Sequence, residues 1–166
     1  MLFRSRITSL STIVGSVPGA LPPLIGWAAV GGSLSDLAPW VLFAIGFFWQ
    51  LPHILAVGWM YREDYERSGL PILAVIDRSG ASSGRQAVIW SAALIPVSLL
   101  PVMPTIRLAG TVYFALALVL GFAQFALAVR FARDRSTVNA RQLFHTTLLY
   151  LPLLWLVMAW SHSRIS

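Results

Sequence analysis

The sequence predicts an all-α fold, a polytopic membrane helical bundle with about five transmembrane helices. Of its 166 residues, 57% are hydrophobic and only 11% are charged, whereas soluble domains carry roughly 25% charged residues. Five windows contain no Asp, Glu or Arg: 7–35, 37–61, 86–106, 108–129 and 142–163. Each window has at least the roughly 20 mostly apolar residues that a bilayer span needs. We therefore interpret residues 1–166 as a single membrane domain.

The placement of arginine predicts the orientation of these helices. Ten of the twelve cationic residues, all arginine, lie before the first window or in the two long connections, and only Arg107 and Arg164 fall on the opposite side. The positive-inside rule then makes the N-terminus and the 62–85 loop cytoplasmic and leaves the C-terminus outside the inner (plasma) membrane. The net charge of +6 thus reflects topology and predicts no nucleic-acid partner. The absence of cysteine excludes disulfides and thiolate metal sites.

The first predicted span, roughly residues 11–30, contains three prolines that interrupt a regular helix. Pro18, Pro22 and Pro23 remove backbone donors, and Gly15 and Gly19 form a small-xxx-small pair that permits close helix packing. Two interpretations remain open, a kinked packing helix and a broken helix that lines a cavity.

The second span, from Trp40 to about residue 61, contains two polar side chains at mid-depth. Gln50 and His53 flank Pro52, and Trp49 precedes them. Polar groups are costly in hydrocarbon, so they normally face the bundle interior or a watery cavity. An interhelical hydrogen bond that serves only packing would also explain them.

Half of the six acidic residues lie directly after this span. If the helix continues through residues 61–67, steps of 100° per residue place Gln50, His53, Asp64 and Arg67 on one face, with Glu66 and Arg62 turned away. His53 and Asp64 would then lie about 16 Å apart along the axis. This pattern predicts a groove with an ionic mouth and an apolar floor, which ends where Gly69 and Pro71 stop the helix.

The remaining spans offer fewer functional candidates. Gln124 and His145 are isolated polar residues that we interpret as packing or interfacial groups. Residues 76–84 read as a polar loop, and the basic residues at 130–141 read as a topology anchor that touches anionic lipid.

Acids and arginines at a membrane surface, beside an apolar aromatic groove, suit an amphiphile with an anionic head, such as a prenyl diphosphate. Carboxylates hold Mg²⁺, which bridges diphosphate oxygens, and Arg makes bidentate contacts with phosphate. Metal and Arg together stabilise the leaving group, and aromatic faces shield a carbocation. A solvated helix end is the alternative interpretation of the acidic cluster.

Several motifs stand out along the chain. It has W-Q-L-P-H at 49–53, followed by Y-R-E-D-Y at 61–65 and G-L-P-I-L at 69–73. The stretches P-G-A-L-P-P-L-I-G-W at 18–27, P-V-S-L-L-P at 96–101 and R-Q-L-F at 141–144 accompany them. Together these motifs resemble those of the protoheme IX farnesyltransferases, or heme O synthases, of the UbiA-type membrane prenyltransferase family. Ile54 and Ile72 stand where the family commonly has Phe and Met.

The resemblance implies that farnesyl diphosphate ionises with the help of Mg²⁺ and that its carbon chain is attached to a vinyl group of protoheme IX. It implies that Asp64 is a catalytic residue, the acid of the second motif that binds Mg²⁺ near the diphosphate, with Glu63 as a second metal ligand, and that Arg67 and Arg62 bind diphosphate. His53 and Gln50 become candidates for contacting heme or orienting its vinyl group. The neighbouring aromatic side chains are candidate substrate contacts: Trp49, Tyr61 and Tyr65.

The resemblance covers only the C-terminal five of about nine family spans. The first aspartate-rich motif, N-D-x-x-D, does not occur in this sequence, so we expect the chain alone not to complete the reaction and to need the missing N-terminal spans. Three alternatives remain: a related prenyltransferase with a quinone-precursor acceptor, a small transporter and a non-catalytic remnant. W-Q-L-P-H argues against the first, and the lack of ionisable span residues other than histidine argues against the second.

Overall fold

A computed structural model describes residues 15–163 of the chain. Within them the protein is helical and contains no strand. The first helix, α1, is described over residues 15–19. The other helices are α2 Pro22–Ala29, α3 Leu37–Met60, α4 Arg62–Arg67, α5 Leu73–Ile76, α6 Ala81–Leu99, α7 Thr111–Arg133 and α8 Thr137–His162, with a 3-10 turn at Leu100–Val102 after α6.

Four helical segments are long and apolar enough to cross a membrane, and they confirm the second to fifth predicted spans. They are Leu37–Met60, Ala81–Val102, Thr111–Arg133 and Thr137–His162. The first predicted span is not one continuous helix, because a break at residues 20–21 separates α1 from α2. Pro22 and Pro23 occupy the first positions of α2, where a proline costs no helical hydrogen bond. Residues 7–14 of that window lie outside the described residues.

The four long helices form a closed bundle. Helices α6 and α8 each pack against both α3 and α7, so neighbours around the bundle run antiparallel. Ile45, Leu94, Tyr113 and Tyr150 form the core of one half. The contact between α6 and α7 is close because Gly84 has no side chain: a Cβ there would lie 2.8 Å from the Cα of Ala132.

The outer surface of the bundle is apolar, as expected where lipid replaces water. About a third or less of each spanning helix is buried inside the structure. Large hydrophobic side chains point outward from all four helices, among them Trp40, Ile89, Val119 and Leu156. A soluble bundle would carry charged residues at such positions.

The predicted continuous helix through residues 61–67 is wrong. Helix α3 ends at Met60, and Tyr61 adopts φ −107° and ψ 21° between α3 and α4. The amides of Asp64 and Tyr65 bond to the Tyr61 carbonyl, which starts the new helix. The guanidinium of Arg62 lies 4.5 Å from the centre of the Trp59 ring, which helps to hold the turn. Asp64 and Arg67 therefore do not continue the face of α3 that carries His53.

The predicted end of the acidic helix is confirmed, whereas the predicted loop after it is shorter than expected. Gly69 adopts φ +69° just after α4, a conformation that glycine enters at little cost. Of the predicted polar loop at 76–84, only residues 77–80 lie between helices, because α6 begins at Ala81.

Candidate active site

Two connections meet at one end of the bundle. The indole Nε1 of Trp59 donates a hydrogen bond of 2.8 Å to the carbonyl of Arg135, which joins the end of α3 to the turn between α7 and α8. Eight arginines flank these connections, as the sequence predicts: Arg62, Arg67, Arg78, Arg85, Arg130, Arg133, Arg135 and Arg141. Arg107 lies at the other end, where the Gly110 amide donates to Ser161 Oγ.

A cavity of about 250 Å³ lies at this end, between α3 and the segment that returns through α4 and α5. Most of its wall is aliphatic, and three polar side chains, His53, Tyr65 and Ser83, complete it. Ser83 is 1% exposed, and its hydroxyl has no hydrogen-bond partner among the described residues. The cavity is smaller than the roughly 300–1,000 Å³ of typical ligand sites, so it suits one part of a larger substrate.

His53 is held by α8 across the bundle. Its Nδ1 lies 2.8 Å from Oγ1 of Thr147, and its ring stacks on Trp49 with a centroid separation of 5.2 Å. The indole of Trp49 donates to the Thr147 carbonyl at 2.7 Å. Two candidates from W-Q-L-P-H thus converge on Thr147, a residue that the sequence analysis did not single out.

Gln50 serves a different contact. Its Nε2 donates a short hydrogen bond to the carbonyl of Ser16, and a Cβ at Gly19 would lie 2.5 Å from its Oε1. Gln50 therefore packs against α1, just before the break, and does not line the cavity with His53. The predicted close packing at the pair of Gly15 and Gly19 is confirmed for Gly19, where this amide occupies the space of a side chain, and is wrong for Gly15, where a Cβ would meet nothing within 4 Å.

An ionic groove of about 270 Å³ adjoins the apolar cavity. Its charged walls are Arg62, Glu63, Glu66 and Arg78, and Ala74 lines both spaces. Glu66 and Arg62, which the regular helix would have turned away, thus face the groove because α4 is a separate helix. Asp64 and Arg67 do not line it.

Two exposed ion pairs organise the charges around this groove. Arg67 Nη2 lies 2.5 Å from Asp64 Oδ1, and the two side chains are 74% and 63% exposed. Arg78 Nη2 lies 2.7 Å from Glu66 Oε1, which links α4 to the turn after α5. Tyr61, another predicted contact, is exposed and lies outside the cavity.

The donor set fits Mg²⁺ only when a phosphate supplies further oxygens. No group of three or more metal-ligating side chains occurs within residues 15–163. Asp64 and Glu63 are adjacent in the first turn of α4, and one or two carboxylates are the usual protein contribution where Mg²⁺ binds substrate phosphates. Glu63 lines the groove and suits a metal that arrives with a diphosphate, whereas Asp64 is paired with Arg67 outside the groove.

The turn before α6 is fixed by Asp77. Its Oδ2 accepts from the Ser82 amide at 2.6 Å and its Oδ1 accepts from the Ser79 hydroxyl at 2.6 Å. The Ser79 hydroxyl, together with bonds from Ser82, lowers the pKa of Asp77 below its ordinary value against a smaller opposing effect of burial. This carboxylate caps the helix that brings Ser83 to the cavity.

The chain matches the model of the UbiA prenyltransferase family over residues 2–162. The chain belongs to the UbiA prenyltransferase family. It is 47% identical over 90% of its length to the protoheme IX farnesyltransferase of Solibacter usitatus, and 42% identical over 92% to that of Koribacter versatilis. The chain spans about half the length of these relatives. No solved structure matches it.

Family membership and four apolar helices make the chain a multi-pass membrane protein of the UbiA prenyltransferase family. Around its cavity the structure brings together His53 and Tyr65, two of the predicted site residues. It adds Ser83 and, behind His53, Thr147. Neither residue has a sequence signal, since an isolated Ser or Thr in a membrane helix is common.

Proposed function

We propose that this chain is the C-terminal half of a protoheme IX farnesyltransferase, which transfers farnesyl from farnesyl diphosphate to a vinyl group of protoheme IX and gives heme O. The adjacency of the apolar cavity and the ionic groove, which share Ala74, carries this proposal. The names of the relatives support it. An amphiphile with a diphosphate head would place its charge in the groove and its reacting carbons beside the cavity.

In the reaction, the bond between farnesyl C1 and the diphosphate oxygen breaks, and its electron pair leaves with the diphosphate. The vinyl group attacks C1 with its π electrons, and water adds to the resulting porphyrin side-chain cation and releases a proton. Mg²⁺, when bound, would offset the developing diphosphate charge. Asp64 and Glu63 would hold the Mg²⁺, and other side chains of the chain would bind the diphosphate, the farnesyl group and the porphyrin.

The arginines would bind the diphosphate before and after ionisation. Arg62 lines the groove, and Arg67 lies beside Asp64 on the exposed face of α4, from which it can turn to a bound phosphate. Arg78 is a third cation at the groove. Arginine keeps its charge and offers paired donors, so it stabilises an oxyanion without a proton transfer.

The aromatic and apolar residues would handle the hydrocarbon and the acceptor. Tyr65 and the aliphatic wall exclude water from the allylic cation, and His53 contacts the porphyrin. Trp49 holds Thr147 and stacks on His53, so its role is to support the acceptor side. We assign Gln50 to holding the break before α2, and Tyr61 to ending α3.

The proposed location is the inner (plasma) membrane, with the groove on the cytoplasmic side. The eight arginines at the groove end support this orientation. The proposed partners are farnesyl diphosphate, protoheme IX, the lipid bilayer and the N-terminal spans that the sequence resemblance implies.

A chimera tests the function. The first half of the Solibacter usitatus relative is fused to this chain and produced in cells without a heme O synthase, and heme O is measured by mass spectrometry. Heme O is expected from the chimera and not from the 166 residues alone, because the chain spans only about half the length of these relatives and lacks the first aspartate-rich motif. A product formed only with a quinone precursor would overturn the heme assignment. The absence of any prenylated product would overturn the proposal.

A further inference from the structure

The hydrogen bonds of Thr147 determine which nitrogen of His53 carries a proton. The Thr147 hydroxyl donates its single proton to the Phe144 carbonyl at 2.6 Å. Its oxygen lies 2.8 Å from Nδ1 of His53 and can therefore only accept there. Nδ1 of His53 must be the donor. In a neutral imidazole this leaves a lone pair on Nε2.

The ring of His53 is also fixed in orientation. Trp49 stacks on it at 5.2 Å with an interplanar angle of 23°, and Phe144 lies against it at 5.0 Å and 34°. The Nδ1 edge faces α8, where Thr147 is fully buried. Nε2 lies on the other edge of a ring that lines the cavity, and it has no hydrogen-bond partner among the described residues.

We propose that Thr147 is a positioning residue that fixes the tautomer of His53 so that Nε2 ligates the iron of the protoheme substrate. This inference rests on the proposed protoheme acceptor. Neutral imidazole nitrogen is a common protein ligand of heme iron. A ligating histidine characteristically donates its other N–H to a fixed acceptor, which orients the ring and raises its basicity. His53 and Thr147 have this arrangement, and the aliphatic cavity wall suits a porphyrin face.

The size of the cavity limits what the site does. At about 250 Å³ it is smaller than a tetrapyrrole, so it would take only the part of the porphyrin next to His53. Anchoring the iron would fix the distance from His53 to the vinyl groups at the ring edge. The ligand would therefore position the acceptor and take no part in the bond changes.

Binding of two porphyrins to the purified chain in lipid nanodiscs tests the inference. Ferric protoheme and metal-free protoporphyrin IX are titrated separately, by absorption and by fluorescence. The wild-type chain is expected to give the Soret spectrum of nitrogen-ligated iron. His53→Ala is expected to bind protoheme at least about tenfold more weakly and protoporphyrin IX unchanged. His145→Ala, which removes an exposed histidine of α8, is the matched control and should leave the protoheme spectrum intact.

The Thr147 variants separate positioning from packing. Thr147→Val keeps the shape and removes the acceptor, and it is expected to weaken protoheme binding about tenfold. Thr147→Ser retains the hydroxyl and should restore both affinity and spectrum. Added imidazole should restore the ligated spectrum to His53→Gly.

Several results would overturn the inference. One is an equal loss of affinity for both porphyrins in His53→Ala. Others are wild-type protoheme affinity in Thr147→Val and bound protoheme without the spectrum of nitrogen-ligated iron. Failure of both the chain and the chimera to bind protoheme would also overturn the inference. Heme O formation by the chimera is a separate readout, so a chimera that is active without ligation refutes this inference alone. Ligation without heme O refutes the proposed function alone.

Discussion

Gly80 lies directly against Trp59: a Cβ at position 80 would come within 2.5 Å of Cη2 of the indole. The same indole bonds to the Arg135 carbonyl and lies beneath the Arg62 guanidinium. Trp59 therefore joins α4, the turn before α6 and the turn before α8 at the end of the bundle that holds the candidate site. Its Gly80 contact also lies next to the helix that carries Ser83.

Gly80→Ala is expected to lower the free energy of unfolding by about 2–5 kcal/mol. Gly80 has φ +69°, which costs about 1–2 kcal/mol for a residue with a Cβ, and overpacking adds about 1–3 kcal/mol because Trp59 is 4% exposed and cannot move aside. Denaturant unfolding in detergent micelles, followed by circular dichroism, measures the change.

Gly69→Ala is the matched control for this variant. Gly69 also has φ +69°, but a Cβ there meets nothing within 4 Å. It should therefore show only the backbone cost of about 1–2 kcal/mol. Equal losses in the two variants would mean that the contact between Gly80 and Trp59 contributes nothing.

The capping carboxylate of Asp77 predicts a dependence of stability on pH. Hydrogen bonds, first that from the Ser79 hydroxyl, lower the pKa of Asp77 in the folded chain. A lowered folded-state pKa stabilises the fold above the unfolded value, about 4, and this contribution disappears as the pH falls through the folded value. Asp77→Asn should thus be less stable than wild type at pH 7, by about 1 kcal/mol as for a lost helix cap.

The difference between wild type and Asp77→Asn should shrink as the pH is lowered below about 4. Unfolding midpoints of both proteins, measured between pH 7 and pH 3, give this difference in stability. Asp36→Asn is the control, since Asp36 precedes α3 without a side-chain capping bond. A difference between wild type and Asp77→Asn that stays constant over this range would show that the ionised carboxylate does not act as the cap.

The absence of cysteine makes the orientation testable with single introduced thiols. Ser68, the position of the first introduced cysteine, follows α4 at the groove end of the bundle. Thr105, the position of the second, lies in the connection between α6 and α7 at the opposite end. In intact cells, a membrane-impermeant thiol reagent should label position 105 and spare position 68 until the membrane is opened. The reverse pattern would place the groove outside and contradict the arginine count.

The sequence could predict the four spans but not the geometry between them. Charge-free windows report directly on the lipid environment, and Gly69 marks a helix end because of its backbone freedom. The break at Tyr61 has no such signal: neither proline nor glycine occurs there, and Trp59 just before it is fixed by a hydrogen bond to the Arg135 carbonyl, 76 residues away. Periodicity along one helix could not foresee that contact.

The same limit applies to the site. His53 was identifiable because a polar ring in a span needs a partner, whereas its partner Thr147 lies 94 residues away on α8 and has a side chain that is ordinary in membrane helices. Gln50 had the same signal as His53, yet its partner is the backbone of Ser16. Residue type predicted a buried polar contact in both cases, and only the packing of α8 and α1 distinguished them.

Asp64→Asn should reduce heme O formation by the chimera without destabilising it. The pair of Asp64 and Arg67 is largely exposed, and such pairs contribute at most about 1 kcal/mol, so unfolding should hardly change. Loss of a carboxylate from a Mg²⁺–diphosphate site should lower the rate at least about tenfold and raise the Mg²⁺ concentration needed for half-maximal rate. Heme O formation is measured as a function of Mg²⁺ and of farnesyl diphosphate.

Two companion variants show whether the effect of Asp64→Asn arises from the metal. Asp36→Asn removes an exposed acid before α3, away from the groove, and should keep the parent rate. Arg67→Gln should raise the KM for farnesyl diphosphate while the Mg²⁺ requirement stays near that of the parent, because arginine contacts phosphate and not metal. Excess Mg²⁺ should therefore rescue Asp64→Asn in part and leave Arg67→Gln impaired. If Asp64→Asn forms heme O at the parent rate and needs the same Mg²⁺ concentration, then Asp64 does not belong to the metal site. Its ion pair with Arg67 would then be only a surface contact.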